Sequence, residues 1–314
     1  MKAIVKPMEY DFFARQKLID EICKEYPFIK RMVIGKSCMG KEITALKIGS
    51  AEQYSLITAA YHGMERITST ILLMFLEDLA FSIKNDLSIE GVNAIRGLSG
   101  RGAIFVPCVN PDGCDIALLG KVACGGDAER IARLCKNDFT RWNANFRGVD
   151  INHNFDAEWE NLREKERKMG IYGPAPTRYG GPKPESEPET KAIVNLCKKV
   201  QVRHAVALHT QGEVIYWKFG ENTPKRSKRI AEILATAGGY ALDVPISIAD
   251  GGGFKDWFIE RFNRPAFTFE MGLGKNPLPA EATEEIYLKA REMLTLATII
   301  QIKKAYQTLG LIRF

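Results

Sequence analysis

Two side chains that can bind a metal, His62 and Glu65, stand three positions apart just after an apolar run that reads as a buried strand. A third, His209, closes a second apolar run, HAVALH, far downstream. Two ligands close in sequence and one distant ligand are a common way to build a three-ligand zinc site with one open position. A single His at a strand end is more often a hydrogen-bonded structural residue, so the prediction depends on the three residues meeting.

Glu270 is a carboxylate inside the apolar segment PAFTFEMG. A charge in such a strand needs a partner or a chemical task. One interpretation is a buried salt bridge. The other is a general base, which takes a proton from a zinc-activated water and later delivers it to a leaving amine. The residues by themselves leave both interpretations open.

Apolar strands that alternate with helical patterns must position these residues. Strands are predicted at residues 31–34, 42–48 and 55–61 and within GAIFVPCVNPDGCD, HAVALH and AFTFEMG. This alternation is typical of an α/β domain whose mostly parallel sheet is covered by helices on both faces. In such sheets ligands bind beyond the carboxyl ends of the strands, where His62, Glu65 and His209 are expected. Residues 120–185 are predicted to be mostly irregular, and loops this long tend to be functional.

Composition favours one large domain and argues against nucleic-acid and membrane partners. The chain has 314 residues, 46% of them hydrophobic, and a net charge of +6. Its densest basic run, residues 225–229, is expected to be a solvated helix face. No apolar stretch is long enough to span a bilayer, and the charged N-terminus lacks the apolar core of a secretion signal. Seven scattered cysteines without a CxxC pair indicate a reducing compartment, so we predict a cytoplasmic protein.

Five segments, in this order, resemble the M14-type zinc metallocarboxypeptidases: HGMERITS, NPDG, GVDINHNF, LHT and TFEMG. The resemblance extends from about Met8 to the end, so residues 1–314 are expected to form a single catalytic domain. Residues 1–7 would be an N-terminal extension, and no inhibitory pro-segment is expected. The implied fold is an α/β domain with a mixed, mostly parallel, twisted sheet of about eight strands. The implied cofactor is one zinc ion per chain, bound by His62, Glu65 and His209, with Glu270 as the general base.

The segment GVDINHNF carries further implied roles and one departure. Asp150 matches a carboxylate that holds a zinc-bound His in its tautomer, and such support is expected physically as well. Asn152 matches the Asn that binds the terminal carboxylate of the substrate. Typical carboxypeptidases place an Arg next, whose planar fork reads a free C-terminus. This chain has His153 there, which argues against strict recognition of a C-terminus.

Two other departures concern the oxyanion and the side-chain pocket. The position of the oxyanion-stabilising Arg holds Asn143, which is flanked by Arg141 and Arg147, and we favour Arg147 for that role. Ile248 stands where the family presents a mobile Tyr. Lys255 stands at the base of the side-chain pocket, where it would favour a substrate that carries an acidic group.

These departures, together with GVDINHNFDAEWE, GPAPTRYGGPKPESEPET and GGGFKDWF, resemble the branch of bacterial γ-D-glutamyl–meso-diaminopimelate peptidases. The predicted substrate is therefore a peptide or muropeptide from a peptidoglycan stem, processed during wall turnover or spore-related wall processing. The alternatives are a general carboxypeptidase, a deacylase of N-acyl amino acids, and a binding protein that has lost turnover. No oligomeric state is predicted.

Overall fold

One mixed sheet of eight strands runs through the molecule. The computed structural model describes residues 3–244 and 250–301. The strands are β1 (Lys30–Lys36), β2 (Glu42–Ile48), β3 (Tyr54–Ala59), β4 (Ser88–Ile89), β5 (Val92–Asn93), β6 (Gly102–Val106), β7 (Val202–His209), β8 (Val214–Tyr216), β9 (Ala241–Asp243) and β10 (Ala266–Glu270). The large sheet has the order β1-β2-β6-β3-β7-β10-β8-β9, while β4 and β5 form a separate hairpin.

The four central strands of the large sheet, β6, β3, β7 and β10, are parallel to one another. Antiparallel pairs lie outside them, at β1–β2, β2–β6 and β10–β8. Every residue of β3 and β7 is buried, as expected for strands that are covered on both faces. The predicted mixed, mostly parallel sheet of about eight strands is confirmed.

Helices cover both faces of this sheet. The α-helices are α1 (Phe12–Glu25), α2 (Ile67–Asn85), α3 (Ala94–Leu98), α4 (Pro111–Leu119), α5 (Ala128–Leu134), α6 (Trp159–Lys168), α7 (Pro188–Lys199), α8 (Arg226–Gly238), α9 (Phe254–Phe262) and α10 (Thr283–Ile299). One core contains apolar residues of α1, α2, α8 and α10. A second core contains those of α7 and α9. None of the helices within the described ranges combines the length and apolarity that crossing a bilayer requires.

One segment differs from the sequence-based expectation. The region 120–185 is less irregular than predicted, because it contains α5, α6 and several short 3-10 turns. Near the N-terminus, the part of the predicted extension that the structure describes is packed against the domain. Val5 is 3% exposed, and its backbone N–H donates to Glu77 Oε2 at 2.8 Å.

The register of the central strands brings the predicted site residues to one edge. Glu270 pairs with His209 at the carboxyl ends of β10 and β7. On the other side of β7, Ala59 at the end of β3 pairs with Leu208. His62 follows β3 by three residues, so the chain delivers it to the same edge.

Candidate active site

The three predicted metal ligands meet at this edge. His62 Nδ1 lies 2.8 Å from Glu65 Oε1, and His209 Nδ1 lies 2.9 Å from Glu65 Oε2. One ligand atom from each residue lies within 4.8 Å of the other two. Glu65 and His209 are buried, and the His62 side chain is only 15% exposed.

A tight turn holds His62 and Glu65 in this position. The residues Gly63–Glu65 form a 3-10 turn, and Gly63 N donates to Asn143 O at 3.1 Å. A side chain at position 63 has no room, because a Cβ there would lie 2.3 Å from Gly113 O. Asn110, in the NPDG segment, donates from Nδ2 to Tyr61 O at 2.9 Å and so fixes the residue that precedes His62.

Asp150 holds the other nitrogen of His62. Its Oδ1 lies 3.1 Å from His62 Nε2, so the ring presents Nδ1 toward Glu65. Metal-binding His residues usually donate their second N–H to a carboxylate in this way. Burial alone would raise the pKa of Asp150, but the positive charges of His62 and His153 outweigh it and hold that pKa well below its usual range.

The electrostatics of the site suit a cation. Burial alone would lower the pKa of His62, but Glu65 and Asp150 outweigh it and raise that pKa well above its usual value. The pKa of Glu65 falls to about 2, because His62 and His209 overcome the effect of burial. Two imidazole nitrogens and a carboxylate form a donor set that zinc prefers, so these residues fit the implied ion.

Glu270 lines the same cavity as the three ligands, beside Tyr216 and Thr268. Burial raises the pKa of Glu270 to about 8, the charge of Glu65 adds to the rise, and His62 opposes it. The Glu270 side chain has no hydrogen bond or ion pair within residues 3–244 and 250–301. The salt-bridge interpretation is therefore not supported, while a base that faces the metal ligands remains consistent with the geometry.

Asn152 and His153 also line the cavity. They lie on the 3-10 turn Ile151–His153, which Asp150 caps by accepting from Asn152 N at 3.2 Å. His153 Nδ1 lies 2.8 Å from Glu166 Oε1, and Glu166 is also paired with Arg163. The sequence reasoning did not identify Glu166, which stands in a helix of highly charged sequence and has no motif that would single it out.

Lys255 lines the cavity but is not a free cation. Its ammonium forms an ion pair with Asp256 and donates to Lys218 O at 2.9 Å. Asp256 lines the cavity as well. The sequence reasoning overlooked Asp256, although an acidic residue directly after the pocket Lys was a visible signal.

Two predicted residues do not line the cavity. Asn143 donates from Nδ2 to Thr177 Oγ1 at 3.4 Å and is 8% exposed. Arg147 is 57% exposed, and its Nη1 lies 3.6 Å from Glu187 Oε2. Arg147 thus lies beside a buried carboxylate outside the cavity lining, and its oxyanion role stays a prediction. Ile248 lies outside the described residues.

Comparison with known proteins agrees with this geometry. A γ-D-glutamyl-L-diamino acid endopeptidase of Lysinibacillus sphaericus is 34% identical over 284 residues, which are 90% of this chain and 70% of that protein. A murein peptide amidase of Escherichia coli is 28% identical, over 82% of this chain and 85% of that protein. The structure of bovine thrombin-activatable fibrinolysis inhibitor in complex with tick carboxypeptidase inhibitor superposes with a TM-score of 0.71. It shares 19% identity over 93% of this chain and 97% of that one, so it supports the fold alone.

The model of the zinc carboxypeptidase family, the M14 peptidases, matches residues 16–296. That range includes the three residues whose ligand atoms converge, as well as Glu270 and Asp150. The match confirms the predicted fold, the zinc cofactor and the peptidase class. On this match, and on the metal site that the fold assembles, the chain belongs to the zinc carboxypeptidase family.

Proposed function

We propose that the protein hydrolyses the amide bond between γ-D-glutamate and meso-diaminopimelate in peptidoglycan stem peptides. The observation that carries this proposal is a cavity that combines the metal ligands and Glu270 with His153 in place of a carboxylate-reading Arg. Two relatives support it, because their names describe a γ-D-glutamyl-L-diamino acid endopeptidase and a murein peptide amidase.

Each site residue would have a separate role in the reaction. His62, Glu65 and His209 would hold zinc, and Asp150 would keep His62 in the tautomer that leaves Nδ1 free. Zinc, when bound, polarises the scissile carbonyl and lowers the pKa of a water molecule. Glu270 accepts a proton from the attacking water at a carboxylate oxygen and delivers it to the nitrogen of the leaving amine.

His153 separates this proposal from a peptidase that removes standard C-terminal residues. An Arg fork binds a terminal carboxylate through two parallel hydrogen bonds. His153 donates Nδ1–H to Glu166, and the backbone of Arg178 also hydrogen-bonds its ring, so His153 cannot offer a substrate the two parallel N–H groups of an Arg fork. The bidentate reading of a C-terminus is thereby lost, which disfavours the general carboxypeptidase.

A reducing compartment suits the thiols of this chain. All seven cysteines are free, including Cys108 and Cys114, whose Sγ atoms lie 3.7 Å apart. Free neighbouring thiols are typical of the cytoplasm. We therefore propose that the substrates are stem peptides or muropeptides that wall turnover delivers to the cytoplasm.

The test compares hydrolysis of L-Ala-γ-D-Glu-meso-diaminopimelate with that of a standard peptide that contains only α-linked L-residues. Zinc-loaded protein is assayed with and without a chelator, zinc is added back as a control, and products are identified by mass spectrometry. We expect chelator-sensitive cleavage of the γ-D-Glu bond alone. Release of a C-terminal residue from the standard peptide, with the γ-D-Glu bond left intact, would contradict the proposal.

A further inference from the structure

A buried ion pair forms part of the cavity wall. Lys255 and Asp256 are neighbours at the start of α9, are 4% and 2% exposed, and both line the cavity with the metal ligands. Burying two charges costs free energy that their mutual attraction repays only partly. An ion pair in a cavity wall also lies where a ligand can contact both charges.

The ammonium of Lys255 has bonding capacity left over. It carries three N–H donors. One donates to Lys218 O at 2.9 Å and another pairs with Asp256 Oδ1. The ring of Phe219 lies 5.6 Å from Nζ and covers one side of it. Among the described residues no acceptor takes the third N–H, which is free to bind an anionic group in the cavity.

The carboxylate of Asp256 also has acceptor positions without a partner among the described residues. Oδ1 accepts from Lys255 and Oδ2 accepts from Gly251 N at 3.1 Å, although each oxygen can accept two hydrogen bonds. Burial raises the pKa of Asp256, and the charge of Lys255 opposes that rise. The remaining acceptor positions can take the N–H groups of a substrate ammonium.

The charge balance of the pair defines which ligand fits. Together Lys255 and Asp256 carry no net charge, and Thr268 and Tyr216 nearby add only hydroxyls. A ligand with a single positive or negative charge would attract one partner and repel the other. A ligand that carries both charges on one carbon can satisfy both partners and adds no net charge to the cavity.

From this balance we infer that Lys255 and Asp256 together recognise a zwitterionic side-chain end group, with Lys255 binding its carboxylate and Asp256 its ammonium. The inference rests on the proposed function, because the distal end of meso-diaminopimelate is such a group. It also changes the sequence-based expectation for Lys255. The pocket selects an amino-acid end group, and a simple acidic group is not enough.

Binding can be tested separately from catalysis. Isothermal calorimetry on the zinc-loaded protein would use three ligands whose α-carbon is blocked as the N-acetyl amide, so that they differ only at the distal carbon: the derivatives of meso-diaminopimelate, of L-lysine without the distal carboxylate, and of L-2-aminopimelate without the distal ammonium. We expect diaminopimelate to bind at least about tenfold more tightly than either, because each of the others leaves a buried polar partner unmatched.

Two variants test which residue recognises which charged group of the ligand. Asp256→Asn should reduce or remove the preference for diaminopimelate over aminopimelate, and Lys255→Met should do the same for diaminopimelate over lysine. Glu260→Gln on the exposed side of α9 is the matched control, and zinc content with melting temperature verifies folding of each variant.

The outcomes separate this inference from the proposed function. Equal binding of the three ligands, or equal losses for all three in both variants, would overturn the role of the pair whether or not the protein hydrolyses stem peptides. A retained binding preference without hydrolysis of the γ-D-Glu bond would uphold the inference and refute the proposed reaction.

Discussion

At the scale of single residues, chemistry at this site depends on groups that are costly to bury. Glu65, Asp150 and Glu270 are three carboxylates around two imidazoles, and each is at least largely enclosed. Glu65 and Asp150 have His partners, whereas the Glu270 side chain lines the cavity and has no partner among the described residues. Carboxylates with perturbed pKa values are common in active sites, where a polar side chain without a protein partner can interact with the substrate.

Glu270→Gln tests the proposed base directly. The amide has nearly the same shape but cannot accept the proton of the attacking water, so kcat should fall by about 10² to 10⁴. Zinc content, measured by mass spectrometry, should stay at the wild-type value because Glu270 is not one of the three ligands. Glu260→Gln serves as the control. A Glu270→Gln enzyme within tenfold of wild-type kcat would remove this residue from the mechanism.

At the scale of elements, the metal site is built from strand ends and one tight turn. The turn Gly63–Glu65 lies against the backbone of α4 and of the segment around Trp142, with no space for a methyl group. The ladder between β7 and β10 sets His209 beside Glu270. The spacing between His62 and Glu65 is useful only because this turn brings both side chains to the same point.

Gly63→Ala should damage both stability and metal binding. Its Cβ would lie 2.3 Å from Gly113 O and 2.6 Å from Trp142 O, so backbone must move. Overpacking of this kind costs about 1–3 kcal/mol, and the shift separates His62 from Glu65. Thermal melting and zinc competition with a chelator would measure both losses. Gly126→Ala is the control, since a Cβ there meets nothing within 4 Å, and matching behaviour of the two variants would contradict the packing argument.

At the scale of the whole molecule, a buried carboxylate joins three distant segments. Glu189 in α7 accepts from Cys38 N, between β1 and β2, at 2.9 Å, and from Asn145 Nδ2 at 3.1 Å. Burial raises the pKa of Glu189 to about 7, and Asp112 adds to the rise. The folded chain therefore keeps the Glu189 carboxyl protonated up to about pH 7, whereas the unfolded chain would release this proton near pH 4.5.

This proton makes stability depend on pH in a known direction. Between pH 4.5 and 7 the folded state binds more protons at Glu189 than the unfolded state, so the unfolding free energy should fall as pH rises and level off above about 7. The loss should reach about 3 kcal/mol. Urea unfolding at pH 5 and pH 8 would measure it, and Glu189→Gln should lack this part of the decrease. The same pH dependence in both proteins would contradict the assignment.

How much of this could be predicted from the sequence differs from residue to residue. The long apolar strands β3 and β7 were identified by their patterns. The three-residue strands β8 and β9 were not, since segments that short carry no periodic signal. Helix α6 was also missed, because its strongly charged sequence resembles a solvated loop.

The sequence by itself determined the candidate zinc ligands, the proposed base and the class of fold, because these depend on residue types in a fixed order. Only the tertiary structure decided what the remaining polar residues do. It pairs Arg147 with Glu187, His153 with Glu166 and Lys255 with Asp256. The physical reason is that a charged side chain takes the partner that burial and distance offer, and neither quantity can be read from a linear chain.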